Sequence, residues 1–304
     1  MIALHSLSAE TNARLFAAGL DPVAIVDLIE TALAEDLGDG IDVTAAATIP
    51  EGQRCAVTFG AREAGVVAGL PVAAAVVDMV CGPDGSFDYL ADDGDRVTPG
   101  TAVARVQAPT RAMLTAERTA LNLLCHLSGV ATLTRRWADQ LGGTAAKVRD
   151  TRKTLPGLRA LQKYAVRCGG GTNHRMGLFD MALVKDNHVA AAGGIAEAYA
   201  AVIDLEGTMP VEIEVDDLPS LRVAIDAGAD EVLIDNFSTD DMRAAVALRD
   251  EIAPSVRLEA SGGLTLERAA EVAATGVDFI AVGELTHSVR VLDLGLDWEA
   301  VSAI

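Results

Sequence analysis

The second half of the chain alternates between short apolar runs and amphipathic segments. The apolar runs, which are typical of strands, lie at 145–149, 181–184, 211–215, 231–234, 256–260 and 278–282. Helical segments lie between them, near 156–166, 194–204, 218–227, 239–250 and 265–275. Strand–helix alternation at this spacing predicts parallel strands joined by crossover helices, in an α/β sheet or barrel.

The number of strands bears on how complete such a barrel would be. Six runs are convincing, and a seventh strand is expected near 167–175. We therefore favour an incomplete α/β barrel. An open doubly wound sheet is the competing architecture, and it is weakened because the sequence contains neither a GxGxxG turn nor a Walker lysine loop.

The first third of the chain predicts a smaller α+β domain. Asp21 and Pro22 combine an N-cap residue with proline at the first helical position, which is a helix-start signal. Helical patterns cover 22–36, 70–80 and 111–142, and strand-like patterns cover 53–68 and 93–109. We expect the last of these helices to bridge the two domains, and the weakly patterned residues 1–20 to be peripheral.

Composition and charge exclude several classes of partner. Half of the 304 residues are hydrophobic but only 4% are aromatic, so the core must be built from Ala, Val, Leu and Ile. The formal net charge of −20 argues against DNA, RNA and anionic membranes as partners. Four cysteines without CxxC spacing predict reduced thiols, and the N-terminus lacks the pattern of a signal peptide. We expect a soluble cytoplasmic protein.

One window of the chain, residues 147–188, reverses this acidic character. It contains all four lysines of the protein, and its nine basic residues outnumber three acidic ones. The basic residues are Lys147, Arg149, Arg152, Lys153, Arg159, Lys163, Arg167, Arg175 and Lys185. A local positive field concentrates anionic ligands. The window therefore predicts a pocket for a small, highly anionic substrate. The alternative is a solvated basic face, but apolar neighbours such as Leu158 and Leu161 argue against that alternative.

Two motifs within the window suit anion binding. Arg152 and Lys153 follow the first barrel strand, in the DTRKT motif. Arginine matches a carboxylate with two parallel hydrogen bonds, whereas lysine acts as a point charge for phosphate. His174 and Arg175 follow three consecutive glycines, which let the backbone approach a ligand closely. The alternatives are a charged loop and a metal site of His174 with His188, which no regular ligand spacing supports.

Acidic and glycine-rich strand ends would complete the pocket. Glu214 and Asp235 end neighbouring strands, where they suit Mg²⁺ or ribose hydroxyls as partners; ion pairs with the lysines are the alternative. The loops SGGLT (261–265) and VGELTHS (282–288) follow the last two strands, the usual place for a phosphate site in a βα barrel. Lys185 also ends a strand in an apolar context, where a buried ammonium needs an anion.

Longer stretches of the sequence resemble the quinolinate phosphoribosyltransferase family. They are EDLGDGIDVT, ERTALNLLCHLSGVAT, the block from DTRKT to VKDNH, EIEVD, LIDNF, LEASGGLT and VDFIAVGELTHS. The resemblance implies an N-terminal α/β sandwich domain (1–128), an incomplete, seven-stranded α/β barrel (129–294) and a C-terminal tail (295–304). It also implies a homodimer in which one subunit's N-terminal domain faces the other's barrel.

The resemblance further implies a role for each candidate residue. It places the quinolinate carboxylates on Arg152, His174, Arg175 and, across the dimer interface, Arg118. Lys153 and Lys185 would hold the pyrophosphate of phosphoribosyl pyrophosphate, and Glu214 and Asp235 would bind ribose hydroxyls and Mg²⁺, the one expected cofactor. The 5′-phosphate would lie on Ser261, Gly262, Gly263 and Gly283. The expected catalytic residues are Lys153, Lys185, Glu214 and Asp235.

The implied activity is transfer of the phosphoribosyl group to quinolinate with loss of carbon dioxide, which gives nicotinate mononucleotide in de novo NAD biosynthesis. Three other interpretations stay open. One is a Schiff-base aldolase that uses Lys185, and a second is a related enzyme that acts on nicotinate itself. The third is a nucleotide sensor, which would need an output domain or a basic DNA-reading helix that the sequence does not show.

Overall fold

The computed structural model describes residues 4–206 and 209–299. Its helices are α1 (Ala9–Ala17), α2 (Pro22–Leu37), α3 (Val43–Thr48), α4 (Leu70–Cys81), α5 (Thr110–Gln140), α6 (Arg159–Cys168), α7 (Asp186–Ala192), α8 (Ile195–Glu206), α9 (Leu218–Ala227), α10 (Thr239–Ile252), α11 (Ala269–Ala273) and α12 (Glu284–His287). Its strands are β1 (Arg54–Ala61), β2 (Gly65–Val66), β3 (Ser86–Tyr89), β4 (Arg96–Val97), β5 (Ala102–Pro109), β6 (Lys147–Arg149), β7 (Ala182–Val184), β8 (Val211–Val215), β9 (Glu231–Asp235), β10 (Arg257–Ser261), β11 (Phe279–Ala281) and β12 (Leu294–Trp298). Within these ranges, no helix combines the length and the apolar composition that a membrane span requires.

Contacts between the elements divide the described chain into two compact units. The first unit contains residues 4–133, 160–169 and 289–299, and the remaining described residues form the second. The units are therefore not consecutive along the chain, since α6 and β12 join the first one. The domain boundaries 128/129 and 294/295 remain a prediction.

An antiparallel sheet forms the frame of the first unit. Its strand order within the described residues is β12–β1–β5–β3. Alternate side chains of β1 are buried, as the sequence pattern predicted, and Val57 and Phe59 are fully covered. Strand β12 pairs antiparallel with β1, with Trp298 opposite Val57 and Leu294 opposite Ala61. Part of the expected C-terminal tail is thus a sheet strand.

Helix α4 is buried almost throughout and lies on this sheet. It begins after Gly69, and the carboxylate of Asp93 accepts hydrogen bonds from the amides of Gly69 and Leu70 at 2.8 and 3.0 Å. These contacts satisfy donors that every helix leaves unpaired in its first turn. The tyrosine hydroxyl of Tyr164 donates to the same carboxylate at 2.6 Å, which ties α6 to this unit.

Helix α1 corrects the expectation that residues 1–20 are peripheral. It contacts both α2 and α4, and its Leu15 is fully buried. Ser8 caps the helix, because its hydroxyl accepts a hydrogen bond from the Thr11 amide at 3.1 Å. Residues 1–3 of the predicted segment lie outside the described residues. A single buried leucine on a nine-residue helix is too little periodicity for a sequence pattern to detect.

Parallel strands form the sheet of the second unit. Within the described residues it contains six strands in the order β6–β11–β10–β9–β8–β7, and every neighbouring pair is parallel. All six predicted strands are present, and helices occupy the predicted crossover segments. The α/β fold class is confirmed. The carboxyl ends of the strands lie at one edge, where active sites of such folds are built.

The predicted seventh strand near 167–175 is reduced to a single parallel bridge between Arg149 and Thr172. The Thr172 amide donates to the Val148 carbonyl at 2.9 Å, and its carbonyl accepts from the Asp150 amide at 3.2 Å. The ladder stops there because the next amide, that of His174, donates to the Asp150 carboxylate rather than to a neighbouring backbone.

Candidate active site

A pocket of about 330 Å³ lies at the carboxyl ends of the parallel strands. Its wall combines basic, acidic and apolar side chains that come from different strand ends and loops. The lining residues are Thr151, Arg152, Lys153, His174, Arg175, Leu183, Lys185, Glu214, Leu233, Glu259, Ser261 and Ala281. Seven of the twelve predicted site residues are in this set. This volume is within the usual range for small-molecule sites.

Four cations line the pocket, as the basic window predicted: Arg152, Lys153, Arg175 and Lys185. Burial lowers the pKa of the Arg175 guanidinium, and the nearby charge of Arg152 lowers it further. The Nε atom of Arg152 is buried and has no hydrogen-bond partner among the described residues. A buried donor without a partner is costly, so this wall is suited to an anionic ligand.

Backbone contacts hold these cations in place. The guanidinium of Arg175 donates to the Met181 carbonyl at 3.1 Å. The Lys153 amide donates to the hydroxyl of Thr151 at 3.0 Å, and the Lys153 carbonyl accepts from the Thr286 hydroxyl at 2.9 Å. The side chain of Lys153 is exposed and lines the pocket. Gly283 is close by, since a Cβ atom there would lie 3.2 Å from Cδ of Lys153.

The other members of the basic window lie elsewhere. Lys163 is fully buried in the first unit, and Arg167 donates to the Ala18 carbonyl at 2.7 Å in that unit. Lys147 is exposed at the start of β6. Of the four lysines, Lys153 and Lys185 line the pocket, so clustering along the sequence overstates the clustering in space.

Two acidic strand ends border the cations. Glu214 forms an ion pair with Lys185, which was the structural alternative for this residue. Glu214 also lines an adjoining pocket of about 360 Å³ together with Asp235, Asp186 and Asp216. Asp235 accepts a hydrogen bond from the Asn236 side-chain amide at 2.7 Å. The carboxylates of Glu214 and Asp235 therefore share one acidic hollow beside the cationic one.

The glycine loop after β10 lies against the residue that follows Asp235. Asn236 has a φ of 58°, the left-handed region that few non-glycine residues adopt. A Cβ atom on Gly262, whose φ is +88°, would collide with the Asn236 side chain and lie 2.9 Å from its backbone nitrogen. Gly263 has a φ of +58° and open space around it. Ser261 itself lines the cationic pocket.

A buried charged network lies beneath the pocket, and sequence reasoning missed it. Arg149 donates to Glu231 and, at 2.6 Å, to Glu259. His174 contacts Glu212 at 2.7 Å, and its Nε2 lies 3.6 Å from Glu259. Burial raises the pKa of both Glu212 and Glu259 to about 8. The sequence does place Glu212, Glu231 and Glu259 within the predicted strand segments 211–215, 231–234 and 256–260.

This network also bears on the metal alternative raised for His174. The group of donors that could hold an ion in the described chain is His174 with Glu212 and Glu259, whose ligand atoms lie within 4.8 Å of one another. His188 instead accepts from the Lys185 amide at 3.0 Å. Because Arg149 already bonds Glu259, and because burial favours the protonated carboxyls, a cation is not needed to balance the cluster.

Arg118 lies away from these residues along the chain. It is on helix α5 within the first unit, and its side chain is 65% exposed, with Glu117 at 3.9 Å. An exposed arginine of this kind is free to contact a second molecule.

Comparison with known proteins gives a consistent result. The family model described as quinolinate phosphoribosyl transferase, N-terminal domain, matches residues 42–128, and the model of the C-terminal domain matches residues 130–297. A Mycobacterium leprae protein named nicotinate-nucleotide pyrophosphorylase [carboxylating] is 54% identical over 272 residues, which cover 89% of this chain and 96% of the relative. A Bacillus subtilis protein with the same name, qualified as probable, is 41% identical over 266 residues, covering 86% and 89%.

Solved structures agree with the sequence relatives. The nicotinate-nucleotide pyrophosphorylase of Francisella tularensis superposes with a TM-score of 0.85 at 38% identity, covering 91% of this chain and 96% of that one. The enzyme of the same name from Ehrlichia chaffeensis gives a TM-score of 0.85 at 34% identity, covering 90% and 98%. With the site geometry, the family models and these relatives in agreement, the chain belongs to the quinolinate phosphoribosyl transferase family.

Proposed function

We propose that the cationic pocket joins quinolinate to phosphoribosyl pyrophosphate, releasing pyrophosphate and carbon dioxide and giving nicotinate mononucleotide. This is the reaction of the family, and it belongs to de novo NAD biosynthesis. The observation that carries the proposal is the juxtaposition of four cations with a carboxylate-lined hollow at the strand ends. Two polyanionic substrates need such cations, and a ribose needs acceptors for its hydroxyls.

Arg152 and Arg175 bind the quinolinate carboxylates in this proposal. Both arginines line the pocket. The Nε atom of Arg152 has no hydrogen-bond acceptor among the described residues, so a substrate carboxylate can accept its hydrogen bond. Arginine can hold a carboxylate with two parallel hydrogen bonds, which orients the pyridine ring as well as binding it. His174 lines the same pocket, and its Nδ1 atom accepts a hydrogen bond from the Arg175 amide.

Lys153 and Lys185 bind the pyrophosphate of the second substrate, and Glu214 and Asp235 bind its ribose hydroxyls. The loops at 261–263 and 283 would hold the 5′-phosphate with their backbone amides, since glycine leaves no side chain between amide and ligand. Gly283 lies beside Lys153 and Ser261 lines the pocket, which is consistent with one continuous phosphate-binding wall.

Glu214 and Asp235 also fit Mg²⁺, because carboxylate oxygens are the ligands that this ion prefers and the two side chains line the same hollow. When bound, Mg²⁺ would offset the negative charge of the departing pyrophosphate. The side chains of the protein stabilise the other charges of the transition state. Lys153 and Lys185 stabilise the leaving group, and Glu214 and Asp235 stabilise the positive charge that develops on the sugar.

The bond changes balance without a redox cofactor. The pyridine nitrogen forms a bond to the anomeric carbon of the ribose as the bond to pyrophosphate breaks. The ring nitrogen is then cationic, so it stabilises the electron pair left on the adjacent carbon when carbon dioxide departs. That carbon finally takes up a proton. Arg152 and Arg175 keep the ring oriented through both steps.

A homodimer would complete this site. The exposed Arg118 on α5 would reach the quinolinate carboxylates of the other subunit's barrel, as the family resemblance implies. A cytoplasmic location is also proposed, and it is supported by the four cysteines, which are free thiols in the described chain.

The test is to incubate the purified protein with quinolinate, phosphoribosyl pyrophosphate and Mg²⁺ and to measure both products. We expect pyrophosphate and carbon dioxide in equal amounts. Nicotinate in place of quinolinate tests the closest rival activity, and borohydride trapping with carbonyl substrates tests the aldolase alternative at Lys185. Turnover of nicotinate at a rate equal to that of quinolinate, or no product from either, would refute the proposal.

A further inference from the structure

We infer that Glu212 is a positioning residue, which acts through His174 to fix Arg175 on the pocket wall. The inference rests on the proposed function, in which Arg175 binds quinolinate. It concerns the segment 172–175, which occupies the place of the missing seventh strand. Because this segment lacks a backbone ladder beyond Thr172, side chains must hold it.

Asp150 holds one side of the segment. Its carboxylate accepts a hydrogen bond from the His174 amide at 2.9 Å and another from the Asn173 side chain at 2.5 Å. Asp150 is fully buried at the end of β6. A buried carboxylate that accepts such bonds anchors the segment firmly to the first strand of the sheet.

Glu212 holds the other side through the His174 ring. The Nδ1 atom of His174 accepts a hydrogen bond from the Arg175 amide at 2.6 Å. Nδ1 therefore carries no proton, and the ring proton is on Nε2, which donates to the Glu212 carboxylate at 2.7 Å. Both ring nitrogens are thus engaged within the chain. The imidazole forms a rigid strut from strand β8 to the backbone of Arg175.

Loss of the Glu212 acceptor removes the hydrogen bond that joins the His174 ring to strand β8. The buried Nε2 proton would lose its acceptor at 2.7 Å, and the ring would have to rotate towards Glu259, whose oxygen lies 3.6 Å away. Its bond to the Arg175 amide would be lost in that rotation. The Arg175 backbone would then lose its link to β8, so its guanidinium, which donates to the Met181 carbonyl, would be placed less well to bind a carboxylate.

Glu231 provides a matched control. It lies directly opposite Glu212 on the neighbouring strand β9, and the two side chains are equally buried, at 1% and 0% exposure. Glu231 forms ion pairs with Arg149 and Arg257. A merely structural role would make Glu212→Leu and Glu231→Leu behave alike.

The experiment compares steady-state kinetics of the wild type with Glu212→Leu, Glu212→Gln and Glu231→Leu. We expect Glu212→Leu to raise the KM for quinolinate about tenfold or more, while the KM for phosphoribosyl pyrophosphate changes less than about threefold. Glu212→Gln keeps an acceptor for the Nε2 proton and should restore the quinolinate KM to within about threefold of the wild type. Glu231→Leu should lower the melting temperature without this selective change.

Equal quinolinate KM values for Glu212→Leu and Glu231→Leu, or equal increases in both substrates' KM, would overturn the inference. Nitrogen NMR of His174 in the wild type tests it independently of any variant's folding. A proton on Nε2 supports the strut, and a proton on Nδ1 overturns it. A wild type that does not turn over quinolinate would instead refute the proposed function.

Discussion

Arg152 and Arg175 illustrate how single residues prepare this site for an anion. The two guanidinium groups line the same wall, and burial together with the charge of Arg152 lowers the pKa of Arg175. A lowered pKa in a cation means that its charge is destabilised while no anion is bound. A carboxylate placed between the two groups would relieve that cost, so the wall favours ligands that carry at least one negative charge.

Replacing a pocket lysine tests the assignment at this scale. We expect Lys153→Ala to slow turnover at least about a hundredfold, since one preorganised charge contact is typically worth on the order of 3 kcal/mol in the barrier. The protein should remain folded, because the Lys153 side chain is exposed. Lys147→Ala is the matched control, as this exposed lysine lies outside the pocket, and its turnover should stay within about twofold of the wild type. Near-normal turnover of Lys153→Ala would count against the pyrophosphate role.

The glycine loop allows a second residue-scale test. A methyl group on Gly262 would collide with Asn236, and its φ of +88° is strained for any other residue. We expect Gly262→Ala to destabilise the protein by roughly 1–3 kcal/mol and to raise the KM for phosphoribosyl pyrophosphate. Gly263→Ala, which has open space at φ +58°, should cost less and shift that KM less. Thermal melts and initial rates give both quantities; equal effects would contradict the fit of Gly262 against Asn236.

Sequence reasoning found the charged residues that line the pocket better than the residues behind them. Arg152, Lys153 and Lys185 stood out because charged residues at strand ends are readable from the sequence. Glu212 did not, because its importance depends on which ring nitrogen of His174 carries the proton. That depends on how two distant segments meet, and no local pattern contains this information.

At the scale of elements, the parallel sheet buries three glutamates at the level of its strands. Glu212, Glu231 and Glu259 are at most 1% exposed, and Arg149 bonds two of them. A buried carboxylate favours its protonated form, so burial raises the pKa of Glu259 to about 8. The protonation state of the sheet interior therefore changes within the physiological pH range.

This raised pKa makes stability depend on pH in a defined direction. The unfolded pKa of Glu259 is about 4.5 and the folded one about 8, so the folded state binds more protons between these values. The stabilising contribution is fully present below the unfolded pKa and is lost as pH rises towards 8. We expect Glu259→Gln, which cannot ionise, to gain stability relative to the wild type between pH 5 and 8. Chemical denaturation at several pH values measures this difference, and a constant or shrinking difference would contradict the raised pKa.

The seventh strand shows where element prediction from the sequence fails. Six strands could be predicted from apolar runs in the sequence, because parallel strands are buried on both faces. Residues 172–175 are backed instead by Asp150 and by the strut to Glu212. Glu212 is remote in sequence, so no local pattern shows that the pairing stops after Thr172.

At the scale of the whole molecule, the net charge is −20, whereas four cations line the pocket at the strand ends. The proposed homodimer, with Arg118 completing the partner subunit's site, gives a test that needs no structure. Arg118→Ala and Lys153→Ala should each be nearly inactive alone. When subunits are mixed and exchanged, half of the dimers become mixed ones, and each mixed dimer regains one intact site of its two. Activity should therefore return to about a quarter of the wild-type value; no recovery after confirmed exchange would contradict donation of Arg118.

The ion pair between Lys185 and Glu214 has one more consequence. Before any substrate arrives, the lysine is already occupied by a carboxylate tethered to the end of β8. An incoming anion must displace this carboxylate, and a singly charged solute gains less Coulomb energy from the lysine than a multiply charged one. In the proposed reaction, the pyrophosphate group would make this exchange, since it carries several negative charges. The tethered carboxylate would thus favour multiply charged ligands over singly charged ones at this lysine.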